Sequence, residues 1–395
     1  MTLGPAVEAL GQIPVPLAVE RGKLGGTLNE VLLDALLRHR HELYLVENGL
    51  VRKLVRPIMA GRDELRKALN SIGAPYFADL SAMPSTALHA LEREIGTVMA
   101  GMETAVTSNI RQALSDVARI ELAAQDALLQ GAIPKAVGWQ PWQATTSDIA
   151  GILETPFKGS LWHQRLARGA AETQITLTQT ARSARAGGVT GRALDLRFGK
   201  VLEGSYQARA VGLFRTEVGR VANDALFASY RRNAQTVQKV VWVATLDAEV
   251  CLVCASRDGM EFDPTAGGME YPPVHPGCRC FMAPVLKSWE QMGLQAEDLM
   301  PRERMAMDGR VPGAVKYPEW FARQDTTFQR DWLGPSRFEL YTNGGLEIKD
   351  MVKSFRVLPL SELPGGAKAA AAVAATGAVG AATAAKSKRK SGGGS

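Results

Sequence analysis

The sequence predicts a predominantly helical α+β protein. A helical N-terminal region precedes a small mixed domain with a short sheet and a Cys/His zinc knot, and a disordered alanine-rich C-terminal tail ends the chain. Three observations lead to this prediction. Apolar residues recur at helical spacing over most of the first 230 residues. One β-branched and aromatic run at Lys239–Thr245 predicts a buried strand, and the next forty residues, which hold all four cysteines, are expected to form loops.

Length and composition indicate an ordinary globular protein. The chain has 395 residues, of which 46% are hydrophobic and 22% charged, enough for two or three domains. We expect five segments: an irregular arm (1–26), a helical N-terminal region (27–135), a mixed domain (156–286), a C-terminal helical and hairpin region (287–364) and a low-complexity basic tail (365–395). Neither a signal peptide nor an apolar stretch of transmembrane length is apparent, so we expect synthesis in a cytoplasm and no membrane partner.

Helical periodicity and end signals predict the individual helices. Thr27 begins a capping box and opens a first helix that should end near Asn48-Gly49, and a second helix should follow. That second helix is expected over residues 51–70, and further helices over residues 85–131, 162–186, 190–202 and 206–232; apolar stripes mark the helices at 85–131 and 206–232. Residues 133–160 should form an irregular boundary. Beyond Trp289 we expect short helices and then a hairpin or strand around Phe338–Ile348.

Positive charge is concentrated in the middle of the chain. The net charge is +6 overall, yet residues 156–235 hold thirteen lysines and arginines against five acidic residues. A basic stretch can meet phosphate or an acidic protein surface, although it can also be an ordinary solvated face of arginine-rich helices. The candidate partner or DNA contacts are the basic side chains at the end of this stretch and in the tail: Arg215, Arg220, Arg231, Arg232, Lys388, Arg389 and Lys390.

The cysteines carry the clearest chemical signal. Cys251 and Cys254 form a C-x2-C pair, and His275, Cys278 and Cys280 follow after twenty residues as H-x2-C-x-C. Zinc takes four tetrahedral ligands from thiolate and imidazole, and a C-x2-C pair supplies two of them from one tight turn. The five residues therefore predict a structural zinc site with one candidate ligand too many. Arg257 and Arg279 could offset the negative charge of the thiolates.

Three alternatives to a structural zinc site remain open. The cysteines could be reduced thiols packed in a core, a disulfide or redox C-x2-C pair, or ligands of a catalytic zinc. A reducing compartment argues against the disulfide. A catalytic zinc needs an acid or base beside it, and neither the deaminase pattern nor H-E-x-x-H occurs.

A set of motifs resembles the phage head morphogenesis family, the phage Mu protein F-like minor head proteins. The motifs are Arg215-Thr216-Glu217 with Ala222-Asn223, Trp242-x-Ala-Thr-x-Asp247, the C-x2-C pair, Asp258-Gly259, and Pro272-Pro273-x-His275-Pro276-x-Cys278-Arg279-Cys280. The resemblance covers about residues 156–286. A weaker one, from Tyr317 to Val352, is similar to the C-terminal region of longer members.

This resemblance implies a function in virus assembly. The protein would be a minor structural component of a tailed-phage head, made in the host bacterial cytoplasm and incorporated during procapsid assembly. Its partners would be the portal protein, the major capsid protein or a scaffold protein, and packaged phage DNA is a further candidate. The resemblance implies no reaction. The alternative is an enzyme carried in the virion, a nuclease or ADP-ribosyltransferase-like effector, with Glu217 or Asp247 as its acid.

Overall fold

The computed structural model describes residues 28–132, 144–266, 268, 270–288, 291 and 303–374. The predicted arm 1–26, the capping residue Thr27, and Lys388, Arg389 and Lys390 of the tail lie outside these residues. Within them the predicted fold class is confirmed, because long helices dominate and the largest sheet has three strands. No helix in this part of the chain combines the length and apolar character that a membrane span requires.

Two long antiparallel helices form the base of the fold. Helix α1 spans Leu28–Gly73 and helix α2 spans Ser85–Ala132. The predicted end of the first helix at Asn48-Gly49 is wrong, because α1 continues through it. Leu43, Leu50 and Leu54 lie on both sides of that point and are all buried in one core. Their packing outweighs the roughly 1 kcal/mol that a glycine costs inside a helix.

Four further helical segments pack on this pair. They are α3 (Thr146–Leu153), α4 (Trp162–Ala186), α5 (Gly191–Val201) and α6 (Ala208–Arg232). Helix α4 has the predicted bounds, whereas α3 lies where an irregular boundary was expected and begins with a capping box of Thr145 and Asp148. The predicted gap between α5 and α6 is a π-helical turn, Leu202–Gln207, so the backbone stays helical from 191 to 232.

A small antiparallel sheet follows, with strand order β2-β1-β3. The predicted buried strand is confirmed as β1, Val237–Val243, and pairs with β2 (Glu261–Phe262) and β3 (Phe281–Leu286). The forty residues after β1 are therefore not all loop. They also contain the short helix α7, Leu252–Arg257.

The C-terminal region consists of short elements. It begins with a hairpin of β4 (Glu303–Ala306) and β5 (Gly309–Pro312). Three short helices follow: α8 (Tyr317–Ala322), α9 (Thr326–Leu333) and α10 (Pro335–Thr342). A second hairpin consists of β6 (Val352–Lys353) and β7 (Arg356–Val357). The strand predicted around Phe338–Ile348 is wrong. Gly334 ends α9 and Pro335 starts α10, the position where a proline's fixed φ suits a helix.

Two buried cores result. The first is built by helices α1 to α6. The second combines the sheet, α7 and the C-terminal region with the end of α6, and it includes Leu36 of α1 and Leu128 and Leu129 of α2. Helix α6 contributes to both, since Val221 is buried in the first and Phe227 in the second. The low-complexity stretch begins as helix over residues 366–374, and Ala369 packs in the second core.

Candidate metal centre

Three local elements bring the five Cys/His candidates together. Cys251 is the N-cap of α7 and Cys254 lies in its first turn, while Cys278 and Cys280 immediately precede β3. His275 lies in the loop between β2 and β3. All four cysteines are free thiols, and all but Cys251 are buried. We call these five residues the Cys/His cluster.

The side-chain atoms of the cluster fall into two overlapping triads. Cys251, Cys254 and His275 form one triad, and Cys254, Cys278 and Cys280 form the other, with the ligand atoms of each within 4.8 Å of one another. Cys254 Sγ lies 3.5 Å from His275 Nε2 and 3.6 Å from Cys278 Sγ. Tetrahedral zinc, with Zn–S near 2.3 Å and Zn–N near 2.05 Å, requires S···S and S···N separations of about 3.8 and 3.6 Å. The cluster could therefore hold a metal ion.

Two backbone contacts orient the ligand atoms. His275 Nδ1 lies 2.9 Å from the carbonyl oxygen of Pro276, so a proton on Nδ1 would leave Nε2 as an acceptor towards Cys254. Histidines that bind a metal through one ring nitrogen commonly donate the N–H of the other ring nitrogen to a backbone carbonyl. The backbone N–H of Cys254 donates to Cys251 Sγ at 3.4 Å, which stabilises negative charge on that sulfur.

Mutual interaction within the cluster perturbs its titration. A hydrogen bond from the thiol of Cys254 is the largest of the interactions that lower the pKa of Cys251 to about 4, despite partial burial. Hydrogen bonds to Cys251 and Cys278 raise the pKa of His275 to about 10. The neighbouring thiols raise the pKa of Cys254 well above its usual value, because crowded thiolates repel one another. In the metal-free protein, protons therefore balance the negative charge that a cation would otherwise balance.

One face of helix α6 holds the loop that contains His275, Cys278 and Cys280. The N–H of Gly277 donates to Thr216 Oγ1 at 3.0 Å, and the hydroxyl of Tyr271 donates to the Asp224 carboxylate at 2.9 Å. The fully buried Asn223 donates to the carbonyl of Cys280 at 3.2 Å and accepts from the N–H of Met282 at 3.3 Å. These contacts fix the backbone on both sides of the two C-terminal cysteines.

The role of α6 in holding this loop was not predicted from the sequence. The available signal is the set of polar residues Thr216, Asn223 and Asp224 at helical spacing, three positions that share a helix face. Gly219 belongs to the same face, because a Cβ there would lie 3.2 Å from the carbonyl oxygen of Cys278. The missing side chain allows the loop to approach the helix closely.

Asp258 and Gly259 connect the cluster region to the C-terminal region. The buried carboxylate of Asp258 accepts from the N–H of Ala244 at 2.9 Å and from the N–H of Tyr317 at 2.7 Å. Gly259 has φ +81°, a left-handed conformation that favours glycine, and its N–H donates to the carbonyl of Trp242 at 2.8 Å. The Asp-Gly pair therefore joins the end of β1 to the start of α8.

The two arginines expected to offset thiolate charge have different surroundings. Arg279 donates to Asp247 at 2.7 Å and lies 3.1 Å from Glu249, so acidic side chains already balance its charge. The guanidinium of Arg257 lies 3.3 Å from the centre of the Phe355 ring. Its half-buried position lowers its pKa, while the charges of Glu270 and then Cys254 act in the opposite direction.

The acid of the Arg-Thr-Glu motif, Glu217, forms ion pairs with two arginines outside the motif. Glu217 is fully buried between Arg165 and Arg220, 2.6 Å from the latter. Arg220 also pairs with Asp224 at 2.5 Å and donates to the carbonyl of Ile152 at 2.8 Å. It is only 3% exposed, so it offers no surface to a protein or DNA partner.

The other predicted contact residues lie nearer the surface. Arg215 pairs with Glu47 at 3.1 Å and donates to Asn48 at 3.1 Å. Arg231 and Arg232 are exposed at the end of α6, and Arg231 donates to the carbonyl of Pro264 at 3.0 Å.

Part of the chain matches a known protein family. Residues 161–283 match the family model described as phage Mu protein F like protein. The matched segment contains α4 to α6, strands β1 and β2, the first half of β3 and the whole Cys/His cluster. No curated protein and no solved structure matches the chain.

Proposed function

We propose, from the premise that residues 161–283 of this chain belong to the phage Mu protein F-like family, that the protein is a minor structural component of a tailed-phage head. The family implies a phage head morphogenesis protein, a place in the virion and capsid-related partners. Our proposal adds that the protein enters the procapsid during assembly, contacts the portal protein, the major capsid protein or a scaffold protein, and affects DNA packaging or ejection. Residues 156–286 would be the unit that carries the family function.

One observation supports a structural role most directly. The motif residues of the matched segment are used to build the fold: Thr216 and Asn223 bind the cysteine loop, and Asp258 joins β1 to α8. Glu217, one acid of the enzymatic alternative, is enclosed between two arginines. Asp247, the other, is bound by Arg279. Both acids have structural partners, so we propose that the protein is not an enzyme.

We also propose that the Cys/His cluster binds a structural zinc ion through Cys251, Cys254, His275 and Cys278. His275 interacts with each of these three cysteines. Cys280 interacts with Cys254 and Cys278 and lies in the triad without His275. Four ligands complete a tetrahedral structural site, which leaves Cys280 as a buried neighbour of the site. The zinc would hold the loop between β1 and β3 in place.

Purification of phage heads tests the proposed function. The tagged protein should co-purify with procapsids and with portal rings, in a fixed ratio to the portal protein. A chain that is absent from purified heads would contradict the proposal. An Asp247→Asn variant tests the enzymatic alternative: asparagine keeps an oxygen that can accept from Arg279 but removes the acid, so head incorporation should be unchanged. A reaction lost in that variant, with heads intact, would favour an enzyme.

A further inference from the structure

A cleft with a basic rim lies on the first core, in a different place from the Cys/His cluster. Its volume is about 210 Å³, and it lies between α4 and the segment that joins the π-helical turn to α6. The lining residues come from both sides: Arg165, Leu166, Arg168, Gly169, Glu172, Tyr206, Arg209, Ala210 and Leu213. Short π-helical turns inside α-helices are frequent at functional sites. Here the turn carries Tyr206 into the cleft wall.

Three arginines and one glutamate supply the charge of the cleft. Arg165 already pairs with the buried Glu217, and Arg209 pairs with Glu172 at the surface, where ion pairs contribute little. Arg168 is exposed and has no hydrogen-bond or ion-pair partner among the described residues. Arg168 on α4 and Arg209 on α6 thus leave two guanidinium groups on opposite walls that can bind an anion.

The floor of the cleft strengthens such an interaction. Leu166 and Ala210 are buried beneath the rim, and a Cβ added at Gly169 would meet no atom within 4 Å. Charges above an apolar surface act on one another through a lower effective dielectric than charges in open water. The hydroxyl of Tyr206, a residue that is 1% exposed, has no hydrogen-bond partner among the described residues.

We propose that this cleft binds a phosphate group of a nucleic-acid backbone. A phosphate carries several oxygens that guanidinium groups on two walls can share, whereas a single arginine fork suits a carboxylate. Arg192, Arg197 and Lys200 lie exposed on the adjoining helix α5, as expected for a surface that follows a row of phosphates. The cleft is independent of the head assignment. The identification of the nucleic acid as packaged phage DNA rests on that proposed function.

The test measures binding of a random-sequence DNA duplex to the full chain by fluorescence anisotropy over a range of salt concentrations. Arg168→Ala should weaken binding several-fold and reduce the slope of log affinity against log salt by about one. Arg330→Ala removes the same charge from an exposed site on α9 and should leave affinity unchanged. Glu172→Gln should strengthen DNA binding several-fold, because it removes the carboxylate that pairs with Arg209. A variant with a damaged fold would not show such a gain in affinity.

Other outcomes overturn either this inference or the head assignment. No DNA binding by the unchanged chain would do so, and so would equal losses for Arg168→Ala and Arg330→Ala, which indicate diffuse attraction. Binding of polyglutamate with the same dependence on Arg168 and Glu172, without binding of DNA, would assign the cleft to an acidic protein instead. A protein missing from phage heads that still binds DNA through Arg168 would contradict only the head assignment.

Discussion

The side-chain amide of Asn223, in the middle of helix α6, donates to the backbone carbonyl of Cys280 at 3.2 Å. The same side chain accepts from the N–H of Met282 at 3.3 Å and from Arg40 of helix α1 at 3.4 Å. One buried residue therefore connects the Cys/His cluster, strand β3 and the long N-terminal helix. The two cores of the protein meet at this point.

Replacement of Asn223 by alanine should destabilise the protein by about 3 kcal/mol, because it leaves the buried carbonyl of Cys280 and N–H of Met282 without this partner. Urea denaturation followed by circular dichroism measures the change. Asn109→Ala is the control, since Asn109 is exposed and makes only a 3.5 Å contact to the carbonyl of Lys53. Similar losses in the two variants would contradict the role given to Asn223.

Two glycine-to-alanine changes should have effects of opposite sign. Gly259→Ala should destabilise the protein by about 1–2 kcal/mol, because φ +81° is unfavourable for alanine and the new Cβ would meet the side chain of Lys316. Gly101→Ala lies inside α2 with no atom within 4 Å of the added Cβ and should stabilise by about 0.5–1 kcal/mol. Thermal denaturation of both variants measures these changes in stability. A Gly259→Ala variant as stable as the unchanged protein would contradict the conformational role given to Gly259.

Glu47 should make stability depend on pH. Burial raises its pKa to about 7, against the opposing charges of Arg215 and Arg279. The pKa of Glu47 is higher in the folded state than its value of 4.5 in the unfolded state. Its contribution to the free energy of unfolding is therefore fully present below pH 4.5 and is lost as the pH rises through about 7. Between pH 4.5 and 8, Glu47→Gln should gain about 2 kcal/mol of stability relative to the unchanged protein.

Denaturation at several pH values checks this prediction. Glu94→Gln is the matched control, because Glu94 is an exposed residue of α2. Its difference in stability from the unchanged protein should stay constant with pH. A constant difference for Glu47→Gln as well would show that Glu47 does not become protonated on folding.

Removal of the metal by a chelator should loosen the segment between β1 and β3 that contains the Cys/His cluster. It should leave helices α1 to α6 folded. Among the described residues between Phe262 and Cys278, only Tyr271 and Val274 pack against a core, and both are partly buried, while the first core contains no cluster residue. Trypsin should therefore cut more rapidly after Arg257 and Arg279 once a chelator is present, with little loss of helical circular dichroism. Added zinc should restore protection. Unchanged cleavage at both sites would indicate that apolar packing alone holds the loop.

The sequence was most informative where local signals and packing agree. Helix α4 has its predicted bounds because an amphipathic stripe begins at Trp162 and Gly187 follows its last residue. The break predicted at Asn48-Gly49 fails because contacts from α2, distant in sequence, keep α1 helical there. Strand β3 was missed because Pro284 lies within it. Proline is tolerated there because β3 is an edge strand, as the order β2-β1-β3 shows.

In the candidate site too, the local pattern was predicted from the sequence and the contacts with distant elements were not. The spacing of the cysteines predicts that they meet, and they do, since spacing depends only on the residues that bind one another. The surfaces that hold the loop were not predicted. Thr216, Asn223 and Asp224 look like the solvent-facing side of an amphipathic helix, and only their burial against residues 271–282 distinguishes them.

The central claim is that a metal ion fixes the loop around the Cys/His cluster, and elemental analysis of freshly purified, never-chelated protein tests it most directly. We predict one zinc per chain in the unchanged protein and in Cys280→Ser, and loss of zinc in Cys251→Ser and in Cys278→Ser. If Cys280→Ser loses zinc while His275→Ala keeps it, the ligands are the four cysteines. A folded protein that contains no metal would contradict the claim itself.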